Sequence, residues 1–113
     1  MDFKLSPDQE AIQESARRMV VREIEPVTRA HASDKPLPKP ALLQIYKAFA
    51  SMGITAPRIP ESDGGGGLSM LNYGLVFEQL PPALAISLLA HECTAARIYA
   101  ESSPQQRERF LPD

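Results

Sequence analysis

The sequence predicts an all-α bundle of about five helices with no sheet, on three observations. Ser6-Pro7-Asp8-Gln9 and Ser103-Pro104-Gln105-Gln106 each spell a helix start: a hydroxyl N-cap, proline at the first helical position, and Gln three residues after the cap to complete a capping box. Ile12, Ala16, Met19, Val20, Ile24 and Val27 recur at steps that keep them on one buried helical stripe. The one short β-like run, Ile54-Thr55-Ala56, is stopped by Pro57 before it reaches strand length.

The first helix is expected from Pro7 to about Ala32, with Arg17, Arg18, Arg22, Glu23 and Glu25 on its polar faces. Pro26 lies inside it and removes one backbone donor, which predicts a kink. Asp34 to Pro40 holds three prolines, and each pushes its predecessor out of helical geometry, so this segment is an extended connection. A second helix follows from Pro40 to Met52, with Leu42, Ile45, Tyr46 and Phe49 inward and Gly53 as its stop. Residues 54–68 are loop and carry Gly64-Gly65-Gly66-Gly67. Ser69 caps a third helix, Met70 to Leu80, whose inward residues are Leu71, Leu75 and Val76. Pro81-Pro82 opens a fourth, Pro82 to about Ser102, apolar nearly all round from Ala83 to Ala90 and therefore expected to be buried on most sides. The fifth runs from Pro104 to Phe110.

A chain of 113 residues is long enough for one domain around one core, so residues 1–113 are taken as a single unit. Its formal charge of −2 comes from mixed signs with no basic stripe, which argues against nucleic acid or an anionic membrane as partner. The start, Met1-Asp2-Phe3-Lys4-Leu5, has no secretory apolar run, and Ala83–Ala90 is too short to span a bilayer. One cysteine, Cys93, cannot form an internal disulfide. A soluble cytoplasmic protein is the expectation.

No catalytic or metal centre emerges from the residues alone. The glycine run lacks the spacing of a dinucleotide loop and the Lys-Ser/Thr pair of a triphosphate loop, and reads as a flexible turn with positive backbone dihedrals. His91-Glu92 is half of a helical zinc motif, but position 95 is Ala95, so His91 reads as a partly buried or interface histidine. Cys93, on the same helix, reads as packing. His31, near a helix C-terminus, suits the dipole there, and Glu10 and Glu14 form a solvated pair one turn apart.

The order of several segments resembles the N-terminal domain of acyl-CoA dehydrogenases. Phe3-Lys4-Leu5-Ser6-Pro7-Asp8-Gln9-Glu10 is similar to the family's capped start, and Arg22-Glu23-Ile24-Glu25-Pro26 to its proline-bearing first helix. Met52-Gly53-Ile54 and Ile59-Pro60-Glu61-Ser62-Asp63-Gly64-Gly65 resemble its helix end and Pro-Glu-x-x-Gly-Gly loop, and Gln106-Arg107-Glu108-Arg109-Phe110-Leu111-Pro112 its exit segment. Asp63, Gly66 and Pro81-Pro82-Ala83 depart from the family's usual residues.

The resemblance implies a parent subunit in which a β-domain and a second helical bundle follow this domain, with FAD between those two and none held by residues 1–113. It implies that a glutamate from the later part removes the α-proton of an acyl-CoA while the β-hydride passes to the flavin; no glutamate of this chain matches that base. It also implies a homo-oligomeric parent, and a wall of the acyl pocket on the fourth helix at Ala85, Leu89 and Cys93. These three are spaced by four along one helical row, although the same spacing serves packing of the bundle core equally well. The end at Leu111-Pro112-Asp113 fits a domain boundary. An acyl-CoA oxidase or flavin monooxygenase built on the same domain is the near alternative, and a self-standing helical interaction module the distant one.

Overall fold

A computed structural model describes residues 2–111. Five helices and one short 3₁₀ turn make up its regular structure, with no strand among the described residues. Helix α1 has three sections, Pro7–Met19 in α geometry, Val20–Ile24 in π geometry and Glu25–Arg29 in α geometry again. Its predicted capping box forms: the Gln9 N–H donates to Ser6 Oγ at 3.2 Å, and the Ser6 N–H to Gln9 Oε1 at 2.9 Å.

Pro26 acts on the turn before it. A proline ring collides with the carbonyl four residues back and supplies no N–H to it. The chain widens from Val20 to Ile24 into a π turn, in which the Glu25 N–H reaches back to the Val20 carbonyl. The widening keeps the core stripe in phase. Met19 and Ile24, five residues apart, are both buried, and Val21 between them is exposed. The helix then ends at Arg29, earlier than the sequence predicts, with the His31 ring nitrogen Nδ1 2.9 Å from the Val27 carbonyl.

Helix α2 spans Lys39–Ser51 and buries Ala41, Ile45, Ala48 and Phe49. Gly53, with φ of 71°, closes it in the left-handed conformation. Helix α3 spans Met70–Phe77 under the Ser69 cap, whose hydroxyl accepts the Asn72 N–H at 3.1 Å. It is shorter than the expected span to Leu80. Leu71 is exposed, not inward: it lies almost opposite Tyr73, which with Leu75 and Val76 faces the core. Helix α4 spans Pro82–Glu101, and α5 spans Pro104–Phe110 under a second complete capping box from Ser103 and Gln106.

The core gathers around Phe49, Ile24, Ile45, Ile54, Val76 and Leu88, all fully enclosed. The bundle is a slab of 42 × 41 × 20 Å, about two helix diameters thick. Its accessible surface is 7815 Å², against roughly 6,100 Å² for a compact monomer of the same mass. No described helix is long and apolar enough to cross a membrane.

The glycine run is a packed loop and not a flexible turn. Gly64 and Gly67 do take the expected positive dihedrals, φ 87° and 61°. Gly65 and Gly66 instead allow close approach: a Cβ on either would stand 2.1 Å from a backbone oxygen, of Ile59 and Gly53 respectively. The Gly65, Gly66, Gly67 and Leu68 N–H groups donate to the carbonyls of Pro60, Ala56, Ile59 and Pro57. A side chain at Gly64 meets nothing within 4 Å. Gly66→Ala is therefore expected to destabilise the chain by about 3 kcal/mol or more, because neither backbone can yield without breaking this ladder. Gly64→Ala should lose only about 1–2 kcal/mol through its left-handed dihedral. Denaturant unfolding of both variants checks the ranking, and equal losses would mean a loosely held loop.

Candidate functional site

Helix α4 has two different faces. Leu84, Leu88 and Glu92, one turn apart, lie in the core with Ala85 beside them. Ile86 and Leu89 stand out at 69% and 42% exposure, and Ala90 and Cys93 are exposed with them. The expectation of a helix buried on most sides is therefore corrected: an apolar sequence face lies open on the slab.

The row Ala85, Leu89, Cys93 does not stay on one side of that division. Steps of four advance about 40° around a helix, so the row drifts from the core at Ala85 to the surface at Cys93. Spacings of three, one and three, as in Ile86, Leu89, Ala90 and Cys93, hold a single open stripe. Cys93 is thus a surface thiol and not a packing residue. Of the two positions expected for His91, partly buried or interface, the first does not hold: it is exposed, and it sets its ring edge-on to Tyr46 at 5.4 Å between centroids.

Among the described residues Glu92 is the one charged residue with a buried side chain, 2% exposed. A carboxylate in an otherwise apolar row needs a cation, and it finds Arg58 from the glycine-bearing loop. The guanidinium grips both carboxylate oxygens, Nε donating to Oε1 and Nη2 to Oε2, the latter at 3.0 Å. The hydrogen bond to Glu92 holds the Arg58 guanidinium above its ordinary range, against the opposing effect of burial. Cys93 Sγ lies 3.6 Å from Glu92 Oε2. Two turns farther along α4, the Tyr99 hydroxyl donates to Asp63 Oδ2 at 2.5 Å, which raises the phenol above its usual range, and the Arg107 guanidinium lies over the Tyr99 ring. Sequence reasoning misses both links. The signal for the first was a glutamate in register with Leu84 and Leu88, but nothing in the spacing names Arg58 as its partner.

Tyr73 adds a polar atom without a bond. Its side chain is buried and its hydroxyl has no hydrogen-bond partner. Burial first, and then the Glu92 carboxylate, push the phenol up to about 12. Neither the glycine run nor this cluster cradles a phosphate: the loop's N–H groups are spent on its own carbonyls, and Arg58 is committed to Glu92. Neither feature therefore offers free donors to the phosphates of a flavin dinucleotide.

Tyr73→Phe removes the unpaired hydroxyl and keeps the ring, and is expected to raise stability by about 1 kcal/mol at pH 7. The phenol is protonated more firmly in the folded chain than in the unfolded one, where it titrates near 10. The stability this difference supplies is intact below pH 10 and drains away as pH climbs to about 12. Melting curves at pH 7, 10 and 11.5 should show the variant losing less on the alkaline side; parallel losses would contradict the assignment.

The sequence model of the family described as acyl-CoA dehydrogenase, N-terminal domain, matches residues 6–113. The chain is 30% identical over 112 residues to cyclohex-1-ene-1-carbonyl-CoA dehydrogenase of Syntrophus aciditrophicus, covering 96% of this chain and 26% of that protein. It is 31% identical over 115 residues to acryloyl-CoA reductase (NADH) of Anaerotignum propionicum, covering 99% and 28%. It is 30% identical over 80 residues to benzylmalonyl-CoA dehydrogenase of Aromatoleum aromaticum, covering 71% and 20%. The chain spans about a quarter of the length of the first two of these curated relatives. No solved structure matches it.

Proposed function

The chain belongs to the acyl-CoA dehydrogenase N-terminal domain family, and from that membership we propose that it is the N-terminal domain of a flavin-dependent acyl-CoA dehydrogenase and forms one wall of its acyl pocket. The observation that carries this reading is the open stripe Ile86, Leu89, Ala90 and Cys93, an apolar face on a helix whose opposite side is core. Each relative is named for a CoA thioester, two as dehydrogenases and one as a reductase. That agreement supports an acyl-CoA as the ligand.

The stripe's task is to bind and to exclude water. Branched Ile86 and Leu89 remove apolar area from solvent when an acyl chain lies on them, at roughly 25 cal/mol per Å². Ala90 and Cys93 are small and add little bulk beside them. Ala85, turned into the core, supports the wall from behind instead of lining it. A dry wall shields the reacting carbons from solvent.

The flavin would be held by parts of the protein beyond residues 1–113 and would supply the oxidation chemistry from there. Those parts, a β-domain and a second helical bundle, are the proposed cover for the rest of the slab, whose surface exceeds that of a compact monomer. A homo-oligomeric parent working in the cytoplasm completes the reading, in keeping with a lone exposed thiol that suits a reducing compartment.

Acyl-CoA binding by the protein that carries this domain with the remainder of its reading frame tests the wall. Leu89→Glu places a charge on the stripe and is expected to weaken binding of an apolar acyl-CoA at least about tenfold, or 1.4 kcal/mol. Leu89→Met, nearly equal in volume, should cost less than about threefold, and Leu43→Glu on the exposed side of α2 should leave affinity alone. Unaltered binding by Leu89→Glu would place the acyl group elsewhere.

A further inference from the structure

We infer that the loop of residues 53–68 is a rigid strap that sets the position of α4, with Arg58 and Asp63 as its two positioning residues. The inference rests on the wall reading for its functional meaning, because what the strap would position is the stripe Ile86 to Cys93.

Stiffness is the first requirement of a strap, and the loop meets it. Its four consecutive N–H groups from Gly65 to Leu68 are bonded within the loop, and Ile54, Pro57 and Ile59 are buried beneath it. The near contacts at Gly65 and Gly66 leave no room for the two backbone strands to slide.

Two points of attachment are the second requirement. Arg58 holds Glu92, and Asp63 holds Tyr99. Residues 92 and 99 are seven apart, two turns and about 10 Å along one side of α4. One attachment would let the helix pivot; two fix its shift along the axis and its rotation together. Cys93 follows Glu92 directly and touches its carboxylate, so the open stripe turns with it.

Chemistry supplies the third argument. Here the carboxylate is buried while the Arg58 side chain is 37% exposed; an ion pair with a buried member is seldom better for stability than two well-packed apolar residues, and its attested use is to specify register. Leu84 and Leu88 alone define register poorly, since a shift of one turn replaces leucine by leucine. A bidentate pair at the third position of the row admits one register only.

Methyl spectra of the 113-residue chain, labelled at its Ile and Leu methyl groups, test this. The double variant Arg58→Met with Glu92→Leu should melt at or above the wild-type temperature, yet show the Ile86 and Leu89 methyl signals broadened or split into several sets. Arg58→Lys, which keeps a cation but not the fork, should return most of the intensity to one set. A double variant with single sharp signals at the wild-type shifts would overturn the proposal. If that variant does not fold, Tyr99→Phe keeps the test open, because it loosens only the exposed second attachment. It should shift the Ile98 methyl signals with the melting temperature nearly unchanged, and unshifted Ile98 signals would overturn the two-point strap. No acyl-CoA is present in these spectra, so a failed wall with a working strap and a working wall with a failed strap give different pairs of results.

Discussion

A carboxylate set in the core row of α4 must meet a cation, and that requirement organises the rest of the structure. Glu92 is almost wholly enclosed, and leaving it alone there would cost several kcal/mol. Arg58 answers it from a loop that has to come close to the helix to do so. The approach is possible because glycines at 65 and 66 let the loop fold back upon itself without side chains in the way. Through Asp63 and Tyr99 the same loop then runs on along α4 toward α5, where Arg107 covers the tyrosine ring. Residues that look unrelated along the chain, a glycine run, an arginine between prolines and a glutamate next to a histidine, are parts of one contact.

The open face of α4 follows from the same arrangement. With one side anchored to core and loop, the helix has no element of its own slab left to cover Ile86 and Leu89. The slab is thin and its surface large for its mass, so the apolar stripe is shaped by the fold and is not an accident of composition. Membership of the acyl-CoA dehydrogenase N-terminal domain family is the ground on which we propose this stripe as a dry wall for an acyl group. On α4 this surface is flanked by two anchors to the loop, at Glu92 and at Tyr99.

Much of this fold is legible in the sequence because helix ends are local. Ser6, Ser69 and Ser103 each satisfy backbone donors within three residues, so their caps can be read without knowing the tertiary structure. The positive dihedrals of Gly53 and Gly64 are local in the same way. Features that depend on phase or on distant partners are harder to read. Pro26 announces a disturbance, but a kink and a π turn both relieve it, and the choice rests on keeping Met19 and Ile24 on one core. Leu71 and Ala85 are apolar residues whose burial depends on which side of an apolar helix meets its neighbours, and periodicity is weak in segments that are apolar on several sides. Arg58 and Glu92 are 34 residues apart, and no spacing rule joins them.

Amide hydrogen exchange at Gly65, Gly66 and Gly67 tests most directly whether the loop is the fixed part on which α4 depends. A strap bonded internally and locked to the helix keeps these three amides protected to nearly the same degree as the buried turns of α4 around Leu88, and they exchange only when the whole domain opens. Exchange at the rate of a free peptide, with α4 still protected, would show that the helix holds its place without the loop.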